Sequence, residues 1–265
     1  MNNIKHICRA CGAPAEMVMQ GTLLRHDVCY FECPNCRYLQ TEAPYWLDEA
    51  YGKPINPSDT GIMSRNQHNT RIVSSLAFWL NIRNATVLDY AGGYGVLVRM
   101  LRDYGIDARW SDKYCDNKFA DGFEYNPGQP VGLVTAFEVF EHLVDPVDEL
   151  KEMLKISSDV FISTELLPNE TPRLDEWAYY GLEHGQHIGF FREQTLRTMA
   201  QTVGKNLYTD GVSYHLFTER KLNPFIFRIV VKRCRILSAV VKRFFSTKIY
   251  DDQNYIIGRE NENSV

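Results

Sequence analysis

Two pairs of cysteines near the start of the 265-residue chain have the spacing of metal ligands. Each pair is a C-x2-C unit, which places two thiolates on one side of a tight turn, and two such turns complete a tetrahedral shell of four sulfur atoms. Zinc prefers this shell, and closing it lets a segment too small for its own core fold. Because four thiolates leave no open position, we expect a structural ion. The predicted ligands are Cys8, Cys11, Cys33 and Cys36.

Other interpretations of these cysteines are weaker. Cys29 has the wrong spacing for a ligand and is expected to be a buried bystander, and the four others could be reduced core cysteines. A redox C-x-x-C is disfavoured because two units are present and no βαβ pattern follows them directly. Residues 17–19 and 28–31, between the two units, have strand composition, as a zinc ribbon requires.

A second candidate site combines a glycine-rich turn with two acids. A β-rich run over residues 85–89 ends in Asp89, and residues 90–95 then read Y-A-G-G-Y-G. Asp89 can accept from a cationic amine, and Asp112, at the end of the next predicted strand, can take ribose hydroxyls. No G-x-G-x-x-G can be aligned here, so a dinucleotide fingerprint is disfavoured. The alternative is a structural glycine turn with solvated acids.

The elements around this turn alternate between strand and helix, which predicts an α/β fold with a doubly wound, mostly parallel sheet. Ligands of such sheets bind beyond the carboxyl ends of the strands, where Asp89, Asp112 and Glu138 all fall. The predicted strands cover 85–89, 107–111, 131–137, 159–164, 207–209 and 212–217, and the predicted helices cover 69–80, 145–154 and 191–203. A turn-rich linker with one short helix at 46–51 precedes them.

At these residues the sequence resembles the class I S-adenosylmethionine-dependent methyltransferases. Residues 87–95 (VLDYAGGYG) look like their first motif, with Ala91 in place of the usual first glycine. Residues 134–143 (VTAFEVFEHL) resemble the fourth-strand motif of a subgroup, and the ribbon together with residues 185–191 (GQHIGFF) is similar to methyltransferases of bacterial sugar and glycan biosynthesis. The resemblance implies a Rossmann-like fold and S-adenosylmethionine as cofactor. The implied cofactor-binding residues are Asp89, Ala91, Gly93, Gly95 and Asp112.

Methyl transfer from a sulfonium requires an aligned acceptor and, for a hydroxyl acceptor, a group that removes its proton. Histidine suits this task near neutral pH, so His142 and His187 are candidate catalytic residues, and Glu138 is a carboxylate candidate. His184 and Glu141 are weaker candidates. For His142 the alternative is a hydrogen bond to a backbone group that holds the loop after the strand.

Two further features have open interpretations. Arg65 either pairs with the carboxylate of the cofactor or is a solvated surface charge. Trp177, Tyr179 and Tyr180 either cover the face of a sugar by stacking or belong to the core.

The net charge of −4 conceals an uneven distribution. Residues 221–250 contain eight basic residues and no acidic one, which leaves the remainder with a net charge of −12. An acidic body disfavours a nucleic-acid partner, because phosphate contacts need clustered Lys and Arg. On a helix that begins at Pro224, five basic residues share about one third of the circumference and apolar residues occupy the other side. The five are Arg228, Lys232, Arg235, Lys242 and Arg243, and the apolar set is Ile226, Ile229, Val230, Ile236, Leu237, Val240, Val241 and Phe244. Such a helix either packs on the body or lies on anionic lipid.

The remaining patterns indicate the compartment. No uncharged apolar stretch reaches the roughly 18 residues of a membrane span. The first six residues lack the apolar core of a secretory signal, and the cysteines are clustered as for a metal. We therefore expect a cytoplasmic protein, with peripheral contact at the inner membrane face through the C-terminal helix.

Four modules are predicted: a zinc ribbon at 1–45, a linker with helices at 46–80, an S-adenosylmethionine-binding domain at 81–220, and a basic amphipathic helix and tail at 221–265. The predicted function is methyl transfer from S-adenosylmethionine to a small polar acceptor, a sugar of a nucleotide-sugar or surface glycan. The alternative is a docking module in which the ribbon binds a partner and the cofactor fold is vestigial. An NAD-dependent oxidoreductase is a weaker third choice because the glycine spacing is wrong.

Overall fold

The structure is a computed structural model that describes residues 6–52 and 60–262. The N-terminal residues 1–5 and the turn-forming residues 53–59 of the predicted linker lie outside the described residues. The strands are β1 (His6–Ile7), β2 (Pro14–Leu23), β3 (His26–Glu32), β4 (Leu39–Thr41), β5 (Val87–Tyr90), β6 (Ala108–Ser111), β7 (Leu133–Phe137), β8 (Val160–Ser163), β9 (Gly189–Phe190), β10 (Asn206–Thr209) and β11 (Tyr214–Thr218). The α-helices are α1 (Leu47–Ala50), α2 (Ile62–Trp79), α3 (Val96–Tyr104), α4 (Pro146–Ile156), α5 (Glu193–Thr202), α6 (Pro224–Lys232), α7 (Cys234–Val241) and α8 (Ile249–Glu262).

The chain divides into two compact units. The first, here called the ribbon unit, comprises the described residues 6–52 and 136–222, and the second, the turn unit, comprises 60–135 and 223–262. The boundary crosses β7, whose first three residues belong to the turn unit and whose last two belong to the ribbon unit.

The ribbon unit contains a five-stranded sheet in the order β1-β2-β3-β4-β9, in which every pair is antiparallel. The first four strands come from the cysteine-rich segment, whereas β9 comes from the histidine-bearing loop about 150 residues later, with Leu39 opposite Phe190. A buried apolar cluster fills this region with side chains from both segments. The N-terminal ribbon therefore folds together with residues 136–222. The cluster comprises Leu23, Val28, Tyr30, Leu39, Trp46, Leu167, Tyr180, Ile188 and Phe190.

The same unit contains the end of β7 and the antiparallel strands β8, β11 and β10. Residues 210–213 form the turn between β10 and β11, where the Asp210 carboxylate accepts from three consecutive backbone N–H groups. A connection this short can only join antiparallel strands, so the last two strands reverse the parallel pattern.

The turn unit is built on three parallel strand segments in the order β7-β5-β6. Helix α3 packs against β6, and α2 contacts α3, α6 and α7. The parallel strands of the turn unit and the helices beside them confirm the predicted α/β class in its coarse form. Helix α2 begins at Ile62, seven residues before the predicted start, because its polar first two turns carry no apolar periodicity.

The C-terminal segment differs from the single amphipathic helix that the charge pattern predicts. Pro224 begins α6 as expected, with the Asn223 side chain accepting from the backbone N–H groups of Phe225 and Ile226. At Arg233 the backbone leaves helical geometry, and α7 starts at the next residue. The buried face consists of Phe227, Val230, Val231, Cys234, Ser238 and Val241. The predicted apolar side is therefore wrong in part, since Ile226, Ile229, Ile236, Val240 and Phe244 are 39–62% exposed.

Helix α8, which the sequence did not predict, is held against α3 by ion pairs. Asp252 on α8 is buried and accepts from both Arg102 and Arg99 of α3, with two bonds to Arg102 of 2.7 and 2.8 Å. Such a fork-shaped pairing fixes orientation as well as distance. Among the described residues no helix is both long and apolar enough to cross a bilayer.

Candidate functional site

The glycine turn, defined as residues 89–95 together with Asp112, lies in the turn unit between β5 and α3. Gly93 and Gly95 have φ angles of 53° and 83°, a region that glycine enters without steric cost. Ala91 has a φ of 55°, so the alanine that replaces the usual glycine holds a conformation that costs an L-residue about 1–2 kcal/mol. A strained residue at this position is typical of a backbone that is shaped for a ligand.

Gly92, the glycine before Gly93, allows a close approach of side chains to the turn. A Cβ atom there would lie 2.9 Å from both the Asp89 carboxylate and the Trp110 ring. The Trp110 indole N–H donates to the Gly93 carbonyl at 2.8 Å, which fixes the other side of the turn. The first motif therefore needs glycine at this position so that Asp89 can pack beneath the turn.

Asp112 holds the turn from the neighbouring strand. Its Oδ2 accepts from the Gly93 N–H at 2.9 Å, and its Oδ1 accepts from the N–H groups of Tyr114 and Cys115 at 2.7 and 2.8 Å. An ionised carboxylate offers about four acceptor positions, so these three bonds leave capacity for one hydroxyl donor. Asp112 is thus fixed in the orientation in which a ribose hydroxyl could reach it.

Asp89 is buried at the end of β5 and accepts from the Thr135 hydroxyl at 2.9 Å. Burial raises the pKa of Asp89 to about 7, the Thr135 hydroxyl opposes this shift, and the charge of Asp112 adds to it. A cationic group beside Asp89 would restore its ionised form, because opposite charges lower the pKa of an acid. The turn unit therefore holds, at one turn, a buried acid and a second acid that retains acceptor capacity.

Arg65 lies in the first turn of α2 and is exposed. Its predicted contact with a cofactor carboxylate stays a prediction.

The histidine cluster, defined as Glu138, Glu141, His142 and His187, lies in the ribbon unit. Glu138 follows β7 with a φ of 53°, another strained non-glycine residue, and its carboxylate accepts from the Ser163 hydroxyl. Its backbone N–H donates to the Ser163 carbonyl and hydroxyl oxygens. The strain is therefore held by β8, and Glu138 is positioned rather than mobile.

Both histidine rings are oriented in the same way, by a hydrogen bond to a backbone carbonyl. The Nδ1 atom of His142 lies 3.1 Å from the Gln186 carbonyl, and the Nδ1 atom of His187 lies 2.6 Å from the Tyr179 carbonyl. A carbonyl can only accept, so Nδ1 carries the proton in both rings. The ring centroids are 4.8 Å apart. The backbone bond predicted as the alternative role of His142 is thus present, and it leaves Nε2 for chemistry.

Burial lowers the pKa of His142 well below its usual value, and the neighbouring His187 adds to the effect. Burial also lowers the pKa of His187, against the opposing influence of the Tyr179 carbonyl and of Glu138. Both imidazoles are therefore neutral at pH 7 and can accept a proton or bind a cation through Nε2.

Glu141 and Tyr179 complete the cluster. The Glu141 side chain is fully buried, and its Oε1 accepts from the Tyr179 hydroxyl at 2.7 Å. Tyr179 is partly buried, whereas Tyr180 is fully buried in the apolar cluster of the ribbon unit. Of the two interpretations of the aromatic loop, the core role is confirmed for Tyr180. No sequence signal shows that Tyr179 supports an acid 38 residues earlier.

The four predicted zinc ligands converge in the ribbon unit. Their sulfur atoms lie within 4.8 Å of one another, with Cys8 3.5 Å from Cys36 and Cys11 3.5 Å from Cys33. Cys29 is outside this group as expected, but it is partly exposed rather than buried. The chemistry of four converging thiols fits a tetrahedral S4 site.

Comparison with known proteins decides the family. The profile of a family described as a methyltransferase domain matches residues 64–209, more than half of the chain. The chain belongs to this methyltransferase family. This confirms the family expected from the motifs at 87–95 and 134–143 and counts against the oxidoreductase alternative. A comparison with curated protein sequences found no match.

Several solved structures are similar to this methyltransferase at low identity. TnmH shares 15% identity with a TM-score of 0.43, over 67% of this chain and 62% of that chain. Magnesium protoporphyrin IX methyltransferase (ChlM) from Synechocystis PCC 6803, with bound SAH, shares 14% with a TM-score of 0.41, over 66% and 94%. The mitomycin 7-O-methyltransferase MmcR shares 14% with a TM-score of 0.42, over 65% and 60%. The match thus spans less than two thirds of TnmH and of MmcR.

Proposed function

We propose that the protein transfers a methyl group from S-adenosylmethionine to a small polar acceptor. The observation that carries this proposal is the arrangement of Asp89 and Asp112 around Gly93, in which one acid suits a cation and the other retains capacity for a hydroxyl. S-adenosylmethionine carries an ammonium group, a sulfonium and a ribose diol, so its polar groups match this pair. The bound cofactor would supply an electrophilic methyl group that is already activated.

The histidine cluster supplies groups that can handle the proton of an acceptor. In the overall reaction the S–CH3 bond breaks, an O–CH3 bond forms, and the hydroxyl proton passes to a base of the protein. Glu138, His142 and His187 are the candidates for this base, since the carboxylate is held by Ser163 and both imidazoles are neutral. A hydroxyl acceptor is the chemistry that such groups serve best.

We propose a sugar of a nucleotide-sugar or glycan as the acceptor class. Support comes from Trp177 and Tyr179, which are partly exposed and hydrogen-bond to Glu165, Trp177 to its carboxylate and Tyr179 to its backbone N–H. Aromatic faces beside carboxylates are typical of sites that bind a sugar through its apolar face and its hydroxyls.

We propose that the Cys8–Cys11–Cys33–Cys36 set binds a structural zinc ion. The support is the convergence of the four sulfur atoms and their connection to the histidine loop. Arg9, within the first C-x2-C unit, donates from its side chain to the Ile188 carbonyl at 2.7 Å. The metal turn thus contacts the residue next to His187.

We further propose that helices α6 and α7 contact an anionic membrane surface. Their exposed side carries large apolar side chains, with Phe225 71% and Ile236 62% exposed. The basic residues Arg228, Lys232 and Arg235 are also exposed on these helices. Apolar residues that enter the headgroup region beside cations that pair with anionic lipids are the features of an interfacial helix. This surface would hold a cytoplasmic enzyme at the inner face of the membrane, where lipid-linked glycans are accessible.

Vesicle co-sedimentation tests the membrane proposal. We expect binding to vesicles of phosphatidylcholine with phosphatidylglycerol to exceed binding to pure phosphatidylcholine at least about tenfold, since each basic residue contributes about 1 kcal/mol. Phe225→Ser with Ile229→Ser should weaken binding to both vesicle types, whereas Val212→Ser, which changes another exposed apolar residue, should not. Equal binding to both vesicle types, or a dimer in light scattering that the double variant dissociates, would overturn the proposal.

Mass spectrometry tests the catalytic proposal. The zinc-loaded protein is incubated with deuteromethyl-labelled S-adenosylmethionine and a panel of nucleotide-sugars. A product whose mass has increased by one labelled methyl group is expected for at least one member. Binding of the cofactor without methylation of any sugar would refute the acceptor class, and absence of cofactor binding would favour the docking-module alternative.

A further inference from the structure

One carboxylate oxygen and two imidazole nitrogens converge in the ribbon unit. Among the described residues, the ligand atoms of Glu141, His142 and His187 lie within 4.8 Å of one another. The segments that carry them are joined directly, because the Ile188 N–H donates to the Glu141 carbonyl at 2.8 Å. We propose that these three residues bind a divalent transition-metal ion, at a site separate from the four cysteines.

The tautomers of the two histidines support this proposal. Both Nδ1 atoms are occupied by backbone carbonyls, which leaves a lone pair on each Nε2. Histidine ligands of metals almost always have this arrangement, in which the second ring nitrogen donates to a carbonyl or carboxylate that fixes the ring. The cluster therefore has both the ligand atoms and the supporting hydrogen bonds of a metal site.

His184 provides an internal contrast. Its ring centroid is also 4.8 Å from that of His187, but its Nδ1 accepts from the Gln186 N–H at 3.1 Å. In a neutral ring this contact places the proton on Nε2. His184 thus lies beside the site with the opposite tautomer and cannot donate an Nε2 lone pair to the ion.

The charge around the cluster suits a cation. The Glu141 side chain is fully buried beside the two imidazoles, and the carboxylates of Glu138, Glu165 and Glu183 also act on His187. A divalent ion would gain the attraction of these carboxylates in a region with little solvent.

The ligand types select the metal. Mg²⁺ and Ca²⁺ prefer shells made of oxygen atoms, and soft ions prefer thiolates. Two imidazoles with one carboxylate suit Mn²⁺, Fe²⁺, Co²⁺ or Zn²⁺ and leave open positions for solvent or substrate oxygens.

The metal site extends the proposed function, and its role in catalysis rests on that function. An ion at this site would coordinate acceptor hydroxyls and lower their pKa. His142 and His187 would then hold the ion together with Glu141, and the proton would pass to Glu138, three residues before Glu141.

Electron paramagnetic resonance with Mn²⁺ tests the site in the full-length, zinc-loaded protein. Mn²⁺ binds poorly to thiolates, so the cysteine site does not interfere. We expect saturable binding of one Mn²⁺ per chain. His187→Ala and Glu141→Gln should weaken it at least about 10–100-fold, the loss that even removal of a supporting partner causes. His184→Ala should bind Mn²⁺ as the wild type does.

The controls separate this proposal from the others. Circular dichroism and the thermal midpoint, measured for each variant without Mn²⁺, show whether that variant is folded. If Glu141→Gln does not fold, His142→Ala takes its place as the second variant. Absence of Mn²⁺ and Co²⁺ binding by the folded wild type, or equal binding by wild type and His187→Ala, would overturn the cation site. S-adenosylhomocysteine binding by the same sample tests the proposed function separately, so either proposal can fail alone.

Discussion

The glycine turn and the histidine cluster both contain acids held by hydrogen bonds, but they are assembled differently. Asp89, Gly93 and Asp112 lie within 24 residues, and each acquires its geometry from β5, β6 or the turn itself. The histidine cluster joins residues 138–142 to residues 179–187, and its second segment is fixed by the ribbon through the pairing of β4 with β9. The first site is therefore local, whereas the second requires the cysteine-bearing N-terminal strands to be folded.

Loss of zinc should have the largest effect on activity, and it should disrupt the histidine cluster while leaving the glycine turn intact. Structural zinc contributes about 10–16 kcal/mol in small domains, so Cys33→Ser should unfold the strands that hold β9 and abolish methyl transfer. S-adenosylhomocysteine binding, which uses the turn unit, should persist. Metal analysis with calorimetry checks both, with Cys29→Ser as the control that retains zinc. Equal zinc content in Cys33→Ser and wild type would contradict the ligand assignment.

Removal of the Glu138 carboxylate should lower the rate of methyl transfer strongly, but less than loss of the ribbon does. Glu138→Gln keeps the side-chain volume and removes the proton acceptor, and general-base catalysis contributes about 10²–10⁴-fold. We expect a fall of that size in single-turnover rate with unchanged cofactor affinity. Glu183→Gln, which alters an exposed carboxylate acting on the same histidine, is the matched control. An unchanged rate in Glu138→Gln would assign the proton to another group.

Asp112→Ala should weaken the glycine turn alone. It removes the acceptor of three backbone N–H groups and the proposed ribose contact. Hydrogen bonds to charged groups contribute about 1.5–3 kcal/mol, so S-adenosylhomocysteine should bind roughly 10–100-fold more weakly. Mn²⁺ binding by the histidine cluster should not change. Asp116→Ala removes an exposed neighbouring acid and should bind the cofactor normally.

The smallest expected effect is a pH dependence that originates at Asp89. Its pKa of about 7 means that the acid must lose a proton to pair with a cationic ligand, so affinity should rise with pH and fall about tenfold per unit below that value. Asp89→Asn should remove the slope. For stability the sign is opposite, because an acid with a raised pKa binds its proton more tightly when folded, and its contribution decreases as pH rises from about 4 to about 7. A flat affinity profile in the wild type would place the cation elsewhere.

The same contrast explains what the sequence could predict. The order of strand, turn and helix around residues 87–104 follows from local apolar periodicity and glycine placement, and the four thiol ligands follow from spacing. The pairing of β4 with β9 could not be predicted, since β9 is only two residues long and its hydrogen bonds leave no pattern. The tautomers of His142 and His187 depend on carbonyls of distant residues in the same way.

The C-terminal segment shows a second limit. Charge periodicity identifies basic positions on a helix, but it does not show which apolar residues face α2. Phe227, Val230 and Val231 are buried while Ile226 and Ile229, equally apolar, are exposed. Helix α8 depends on the pairing of Asp252 with Arg102, a contact across 150 residues that no local pattern indicates.

Calorimetric titration of the zinc-loaded protein with S-adenosylhomocysteine tests the central claim most directly. The wild type should bind one molecule per chain, Asp112→Ala should bind roughly 10–100-fold more weakly, and Cys33→Ser should bind as the wild type does. A folded wild type that releases no heat of binding, or an Asp112→Ala variant with unchanged affinity, would contradict the assignment of the glycine turn as the cofactor site.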